Sequence, residues 1–438
     1  MYSARAALEI GNLPQRKPRR FQRVLSTHMG QSIVRSGSFR GATRDEQAQV
    51  VWMLSFVASA CVAQAEEEQQ LSVTCPPALF SFGTSLSDTG NRDFVYPDNT
   101  FADLRPYGST FPGHPDCRFS DGRLIVDFFA SAFGFPFIEP IITNDELDYT
   151  HGVNLAFSGA WTIPQGLPYF FDVQVDEFAV FRGRALSRAA YQSYVPTLKS
   201  FDDGLYIVFF GRNDFTNSYW QQQMSPAEAQ ETLVPKVLEA IVDGIKRLYD
   251  EGAWNFMVFN VNPQGCQPQY LTLFGDLDAE RDENGCLASY NRVIRVFNSR
   301  LLEAVRTLRA ELNGSTVFHA DFYGICKEVF DSPQDFGFSP EKTLTSCCGT
   351  GGRYKYDPIA RCGYRGMWKG EFVDVTTPCE KPSDYVSWDG VHFTEAFYNH
   401  AAKRLLTGKF LDPPVDLSKT CNLDFKSFEL SQPQHSST

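Results

Sequence analysis

Four short stretches of this 438-residue chain carry residue types that can do chemistry together. Gly83-Thr84-Ser85-Leu86-Ser87-Asp88-Thr89-Gly90-Asn91 holds a serine in a glycine-bounded turn. Ser158-Gly159-Ala160 offers a glycine N–H, and Arg212-Asn213-Asp214 a side-chain amide. Trp388-Asp389-Gly390-Val391-His392 sets an acid three residues before a histidine. A serine hydroxyl is a poor nucleophile at neutral pH unless a base takes its proton. His392 is the candidate base, and Asp389 the candidate acceptor for the far ring nitrogen of that imidazole. The N–H groups of Ser85 and Gly159 and the amide of Asn213 are the candidate donors to an oxyanion. Together they form the inventory of acyl transfer. Each signal is weak alone, because turn serines and surface Asp-x-x-His pairs are common. The order of the four, and their place in the scaffold, carry the reading. Asp214 reads either as a brace for Asn213 or as a turn cap. His151 and His400 read as surface or core-edge residues, and the Phe170-Phe171 pair as packing before cleft lining.

The scaffold follows from the apolar runs. Ala78–Gly83, Gly152–Phe157 and Leu205–Gly211 read as strands, and each is followed by one of the first three stretches. Trp254–Val261 and Ser315–Phe322 are further strands. Apolar residues at helical spacing mark Gly122–Phe133, Cys286–Leu312 and Thr394–Phe410. Ser225-Pro226-Ala227-Glu228 is a capping box opening a helix to about Asp250, with a kink expected at Pro235. Apolar strands alternating with amphipathic helices predict an α/β fold, a parallel sheet covered on both faces. Active sites of such sheets lie beyond the C-terminal ends of the strands, where these stretches fall. Residues 339–387, rich in Cys, Gly and Tyr, read as a bridged loop region. No repeat, low-complexity linker or second domain stands out.

Composition narrows the classes. Hydrophobic residues are 43% and charged residues 21%, as in a globular protein. The formal net charge of −12 is uneven: residues 1–44 sum to +8, and the chain from Glu66 onward to −18. So acidic a body argues against binding a phosphate backbone, and no nucleic-acid partner is expected. Val50–Ala65 is an apolar run ending in Ala-Gln-Ala, a signal-peptidase pattern, followed by three glutamates. The run is short for a membrane span. Residues 1–65 are therefore read as a targeting region cleaved after Ala65, and residues 66–438 as a single secreted domain. The Arg-rich start also fits a plastid or other organelle transit peptide, and a true start at Met29 is a third reading. Without Cys61, ten of the eleven cysteines remain, an even number that suits disulfides and allows five bridges. Cys347 and Cys348 are adjacent and are expected to take different partners. No cysteine-histidine spacing suggests zinc, so no metal or cofactor is expected. Asn313-Gly314-Ser315 is a glycosylation sequon.

The four stretches resemble, in order, the blocks of the GDSL esterase/lipase family (SGNH hydrolases) in its plant secreted branch. The matching segments are FGTSLSDTGN (82–91), NLAFSGA (154–160), GRND (211–214) and WDGVHFTEAFY (388–398), with CCGTGGRYKY (347–356) and NPQGCQP (262–268) beside them. The likeness spans about Cys75 to Pro413. It implies a flavodoxin-like three-layer α/β/α sandwich with a central parallel sheet and no cofactor. It implies Ser85 as nucleophile, His392 as base, Asp389 as orienter, and Gly159 and Asn213 in the oxyanion hole. The substrate would be a small-molecule, glycan or lipid ester. Two departures stand out. The family's Gly-Asp-Ser is here Gly83-Thr84-Ser85, and the Thr84 hydroxyl is expected to replace in part the bracing of the missing carboxylate. The proline usual after the catalytic histidine is Phe393, expected either to flank the imidazole or simply to pack. A catalytically impaired binder of acylated glycan or lipid is the alternative reading, resting on Thr84 alone. A third reading, a structural or defence scaffold, has no feature in its favour.

Overall fold

The computed structural model describes residues 74–97, 105–112, 117–142, 147–165, 168–190, 192–374 and 377–429. The expected targeting region, residues 1–65, lies outside the described residues. Val73–Thr438 forms one compact unit.

Five strands run parallel: β1 (Leu79–Gly83), β2 (Gly152–Asn154), β3 (Leu205–Phe209), β4 (Asn255–Phe259) and β5 (Thr316–Ala320). They lie in the order β2-β1-β3-β4-β5. This is the flavodoxin-like doubly wound order, with its switch point between β1 and β3. Helices α1 (Ile125–Ala132), α2 (Phe171–Arg188), α3 (Arg212–Trp220), α4 (Val234–Asp250), α5 (Ala288–Glu311), α6 (Phe322–Asp331) and α7 (Glu395–Leu406) complete the three layers. Strand alternation sorts the core. Phe80, Phe82, Tyr206, Val208, Phe256 and Val258 point to one face, where Phe171 and Phe178 of α2 and Ile241, Ile245 and Leu248 of α4 cover them. Phe209 and Phe259 point to the other and meet Phe322 of α6. These phenylalanines thus form the sheet-to-helix packing.

The structure departs from the sequence reading in several places. A two-residue strand, β8 (Leu411–Asp412), pairs antiparallel with β5 and closes that edge, so the sheet is not wholly parallel. Between them in sequence, the segment read as loop holds a hairpin of β6 (Arg365–Trp368) and β7 (Glu371–Asp374). Its four-residue strands mix charged residues with exposed apolar ones such as Met367 and Phe372, and are too short to carry a periodic signal. Helix α2 was not foreseen either. Its buried stripe contains Gln174 among the apolar residues, which weakens the periodic signal. Just before Pro235 the helix changes type: a short α turn (Pro226–Glu228) and a π-helical turn (Ala229–Leu233) lead without a gap into α4, whose second residue is Pro235.

Among the described residues four disulfides form rather than five: Cys75–Cys421, Cys266–Cys286, Cys347–Cys379 and Cys348–Cys362. Cys347 and Cys348 do take different partners. Cys326 lies wholly buried on α6 and is unbridged. Among the described residues no helix is long and apolar enough to cross a membrane.

Candidate active site

The nucleophile turn leaves β1 at Gly83. A side chain there would put its Cβ 2.9 Å from the Phe209 carbonyl of β3, so only glycine lets the two strands close. Gln174 of α2 clamps the same residue twice, accepting from Gly83 N at 2.9 Å and donating to Gly83 O at 2.9 Å. The Thr84 carbonyl then receives the N–H groups of Ser87 and Asp88, both at 3.0 Å, and the turn is closed by backbone. Ser85 sits at its apex, nearly buried.

The acid–histidine loop precedes α7. Gly390 has φ 90°, and a Cβ there would strike Tyr356 at 2.5 Å, so this chain reversal requires glycine. The reversal lets Asp389 fold back on His392. Asp389 Oδ1 accepts the N–H groups of Val391 (2.9 Å) and His392 (2.7 Å). Asp389 Oδ2 lies 2.6 Å from His392 Nδ1 and accepts the Tyr107 hydroxyl at 2.8 Å. The Val391 carbonyl is held by the buried Arg212 guanidinium at 2.9 Å and by Gln267 at 3.1 Å. His392 Nε2 stands 2.8 Å from Ser85 Oγ.

The electrostatics assign the protons. Burial pushes the Asp389 carboxyl up, but the facing His392 imidazole and the two N–H donors outweigh it, and the group is held well below the usual carboxylate range. An ionised Asp389 can only accept, so Nδ1 carries the hydrogen. Nε2 is then the acceptor, and the Ser85 hydroxyl donates to it. Burial raises the Tyr107 phenol, and the adjoining Asp389 charge raises it further, so it stays a donor.

The remaining site residues come from two loops tied to this turn. Gly159, at φ 83°, follows Phe157, whose N–H donates to Gly83 O at 3.1 Å. Asn213 lies in the first turn of α3 and donates its amide to Ala160 O at 2.8 Å. Asp214 braces the glycine loop rather than Asn213 itself. Its carboxylate accepts the Thr162 N–H (3.0 Å) and hydroxyl (2.8 Å) and the Ile163 N–H (3.3 Å). Thus Ser85, Gly159, Asn213, Asp389 and His392 are gathered at the C-terminal ends of β1 and β3.

Several expectations are corrected. Thr84 Oγ1 is buried and has no hydrogen-bond partner among the described residues, so it does not take over a carboxylate's bracing. Asp88 does that work, an acid the motif reading passed over. Its two oxygens accept the N–H groups of Gly90 (2.9 Å), Asn91 (2.7 Å), Arg92 (3.2 Å) and Ser158 (2.6 Å), and so tie the nucleophile turn to the glycine loop. Since the Thr84 hydroxyl is already unpaired, Thr84→Val is expected to leave stability within about 0.5 kcal/mol and kcat within about threefold. Urea melts and ester turnover check this; a loss above about 1 kcal/mol would restore the bracing role. Phe393 packs inward on Phe322 (5.4 Å) and Phe397 (4.4 Å). The aromatic beside the imidazole is Phe119, with ring centres 5.1 Å apart. Tyr107, Phe119, Arg212, Gln174 and Asp88 were all missed as site residues; of these, Asp88, five residues past the end of β1, and Arg212, three past the end of β3, carried a local sequence signal.

Of the other candidates, Phe171 is core packing against Phe82 and Phe210. His151 stacks on Phe135 and meets Pro77 O, and His400 packs on Phe336, both at the edge of the core. Asn313 is exposed in the turn between α5 and β5. Cys266, Asp282 and Cys286 approach metal-ligand spacing, but the two sulfurs are bonded to each other and offer no thiolate.

A model of the GDSL-like Lipase/Acylhydrolase family matches residues 79–405. The chain is 35% identical over 366 residues to an esterase of Hevea brasiliensis, covering 80% of this chain and 90% of that protein. It is 32% identical over 357 residues to alpha-L-fucosidase 3 of Arabidopsis thaliana (79% and 92% covered). It is 34% identical over 360 residues to GDSL esterase/lipase ACHE of Zea mays (79% and 89% covered). The matched span runs through all four chemistry-bearing stretches and the five parallel strands that carry them, and the chain accordingly belongs to the GDSL-like lipase/acylhydrolase family of carboxylic ester hydrolases.

Proposed function

We propose that this protein is a secreted serine esterase that works through an acyl-enzyme on Ser85. The observation that carries the reading is the continuous chain Ser85 Oγ, His392 Nε2, His392 Nδ1, Asp389 Oδ2, with links of 2.8 and 2.6 Å. Ser85 Oγ attacks the ester carbonyl carbon while its proton passes to Nε2. The carbonyl π pair moves onto oxygen, facing the N–H groups of Ser85 and Gly159 and the amide of Asn213. The C–O bond to the alcohol then breaks, and the leaving oxygen takes the proton from Nε2. Water repeats the sequence: His392 removes its proton, hydroxide adds to the acyl carbon, and Ser85 leaves with the proton returned. Asp389 stays ionised throughout and stabilises the imidazolium.

The impaired-binder alternative draws nothing from the site, since its one support, Thr84, makes no hydrogen bond that a mechanism could miss. Glycoside cleavage, which the name of one relative brings to mind, needs two carboxyl groups free to face a sugar. Asp389 spends both oxygens on His392, Val391 and Tyr107. The substrate class is a small-molecule, glycan or lipid ester, the domain is residues 66–438, and Asn313 carries the glycan.

One experiment tests reaction and address together. Full-length protein is expressed in a secreting host and recovered from the medium. It is expected to begin at Glu66 and to take up one equivalent of a fluorophosphonate, with the adduct on the peptide containing Ser85. An adduct elsewhere, or none, overturns the nucleophile. Retention inside the cell, with residues 1–65 intact, overturns secretion.

A further inference from the structure

Behind the catalytic loop lies a buried acid cluster that the ester chemistry does not use. Asp121, Glu395, Arg123 and Thr110 are each 5% exposed or less. Glu395 opens α7, three residues after His392. Its Oε1 accepts from Arg123 Nε at 2.5 Å, and its Oε2 lies 2.5 Å from the Thr110 hydroxyl. The same Thr110 oxygen lies 3.2 Å from Asp121 Oδ2 and 3.0 Å from the Asp121 carbonyl. Gly122 allows this crowding; a Cβ there would fall 2.4 Å from both Glu395 Oε2 and Thr110 Oγ1.

The hydrogens do not suffice if both acids are ionised. A threonine hydroxyl has one hydrogen, yet it faces two carboxylate oxygens and a carbonyl. One guanidinium stands against two carboxylates. Arg123 is otherwise spent on the carbonyls of Ser427 (2.7 Å) and Glu429 (2.8 Å). Adding one proton gives both carboxylate contacts a hydrogen, and the Asp121 carbonyl is met separately by the Thr110 N–H at 2.7 Å. A protonated Asp121 donates to Thr110, Thr110 donates to the Glu395 carboxylate, and that carboxylate pairs with Arg123. The mirror arrangement, with Glu395 protonated, satisfies the same atoms. Burial favours retention of this proton at both acids, with Asp121 raised to about 6 and Glu395 to about 7; at Glu395 the Arg123 charge opposes the rise and the Asp121 charge adds to it.

The cluster reaches the catalytic residues by three strands of chain. Thr110 lies three residues past Tyr107, which bonds Asp389. Ser120, beside Asp121, donates to the Phe393 carbonyl at 3.0 Å, and Phe119 lies against the His392 ring. Asp121 Oδ1 accepts the Glu395 N–H at 2.8 Å. Other charges nearby are already committed: Arg118 and Asp127 pair at 2.9 Å, and Lys403, further along α7, lies over the Phe428 ring. The His392–Asp389 pair is the next charged neighbour toward the site.

We propose that Asp121 and Glu395 hold one proton between them through the Thr110 hydroxyl and act as positioning residues for His392. Loss of that proton to solvent leaves two buried carboxylates against one guanidinium. Their repulsion pushes the Phe119–Asp121 segment from the Phe393–Glu395 segment, and the imidazole loses its seat. The sign follows from linkage. A carboxyl raised in the folded state contributes stability that is full below its unfolded value and is lost as pH rises through its folded value. With the two acids raised to about 6 and about 7, that loss falls between about pH 4 and 7.

The role in turnover rests on the esterase reading, so the test has an arm that needs no turnover. In the first arm, kcat and KM are measured at about pH 5.5 and 8 for wild type, Asp121→Asn and Glu395→Gln. The amides stand for the protonated acids. Each variant is expected to raise the ratio of kcat at the higher pH to kcat at the lower by about threefold or more, with the KM ratio unmoved. A ratio unchanged or lowered in both variants overturns the proposal. The second arm follows amide exchange in wild type, corrected for its intrinsic pH dependence. Residues 118–123 and 393–395 are expected to lose protection relative to β3 as pH rises from about 5.5 to 8. Parallel behaviour of all three segments overturns the proposal even if no ester is ever found to turn over or a variant fails to fold.

Discussion

Replacing Ser85 by alanine is expected to lower kcat for a short p-nitrophenyl ester by about 10⁵- to 10⁶-fold, with KM changed little. The magnitude follows from what is removed. Among the described residues, the hydroxyl is the only atom that both touches His392 Nε2 and can bond to the acyl carbon. Without it, turnover falls back to water attack within whatever oxyanion stabilisation remains. His392→Ala is expected to cost a similar factor, because an unassisted serine hydroxyl is scarcely nucleophilic. The double variant should then be no slower than either single one, since the two residues act as one unit. Rates of the four proteins on one substrate decide it. Multiplicative losses, or Ser85→Ala activity above about 1% of wild type, would show that the chemistry runs elsewhere.

The residues of that unit were legible because the chemistry demands local patterns. Asp389 and His392 must sit three apart on one reversing loop, and Ser85 must follow a strand directly. Both constraints leave a short, readable stretch. Gly83, Gly159 and Asn213 belong to the same class, each at a strand end. What was not legible is the support. Tyr107 reaches Asp389 from a loop 282 positions away in sequence, and nothing around Tyr107 marks it as different from any other loop tyrosine. Gln174 reads as a blemish in an apolar stripe until the structure shows it clamping Gly83. Thr84 was misjudged, and Phe393 was left between two readings, for one reason. A substitution tells what side chain is present but not which way it points, and both point into packing that long-range contacts decide. The fold divides similarly. Buried strands announce themselves as apolar runs, whereas the exposed hairpin β6–β7 and the two-residue β8 depend on pairing partners and carry no periodic signal of their own.

Asp389→Asn is expected to lower kcat by about 10⁴-fold while the protein stays folded, and the geometry gives the reason. The two oxygens of Asp389 face different groups. Oδ1 accepts the N–H groups of Val391 and His392, which can only donate. An asparagine must turn its carbonyl oxygen there, because its NH₂ would otherwise meet two buried donors and lose both bonds. The amide NH₂ is then forced toward His392 Nδ1 and the Tyr107 hydroxyl. Tyr107 can rotate its hydrogen away and accept. The imidazole answers by moving its hydrogen to Nε2, so the nitrogen facing Ser85 becomes a donor and can no longer take the serine proton. The fold survives, and the wrong tautomer is locked in. Tyr107→Phe is the control: it removes one hydrogen bond to Oδ2 but leaves a charged acceptor for Nδ1, and should cost about tenfold or less. The tautomer account predicts a gap of roughly a thousandfold between the two variants. Equal, small losses would mean that Asp389 merely packs the loop, and the base would have to be oriented by something else.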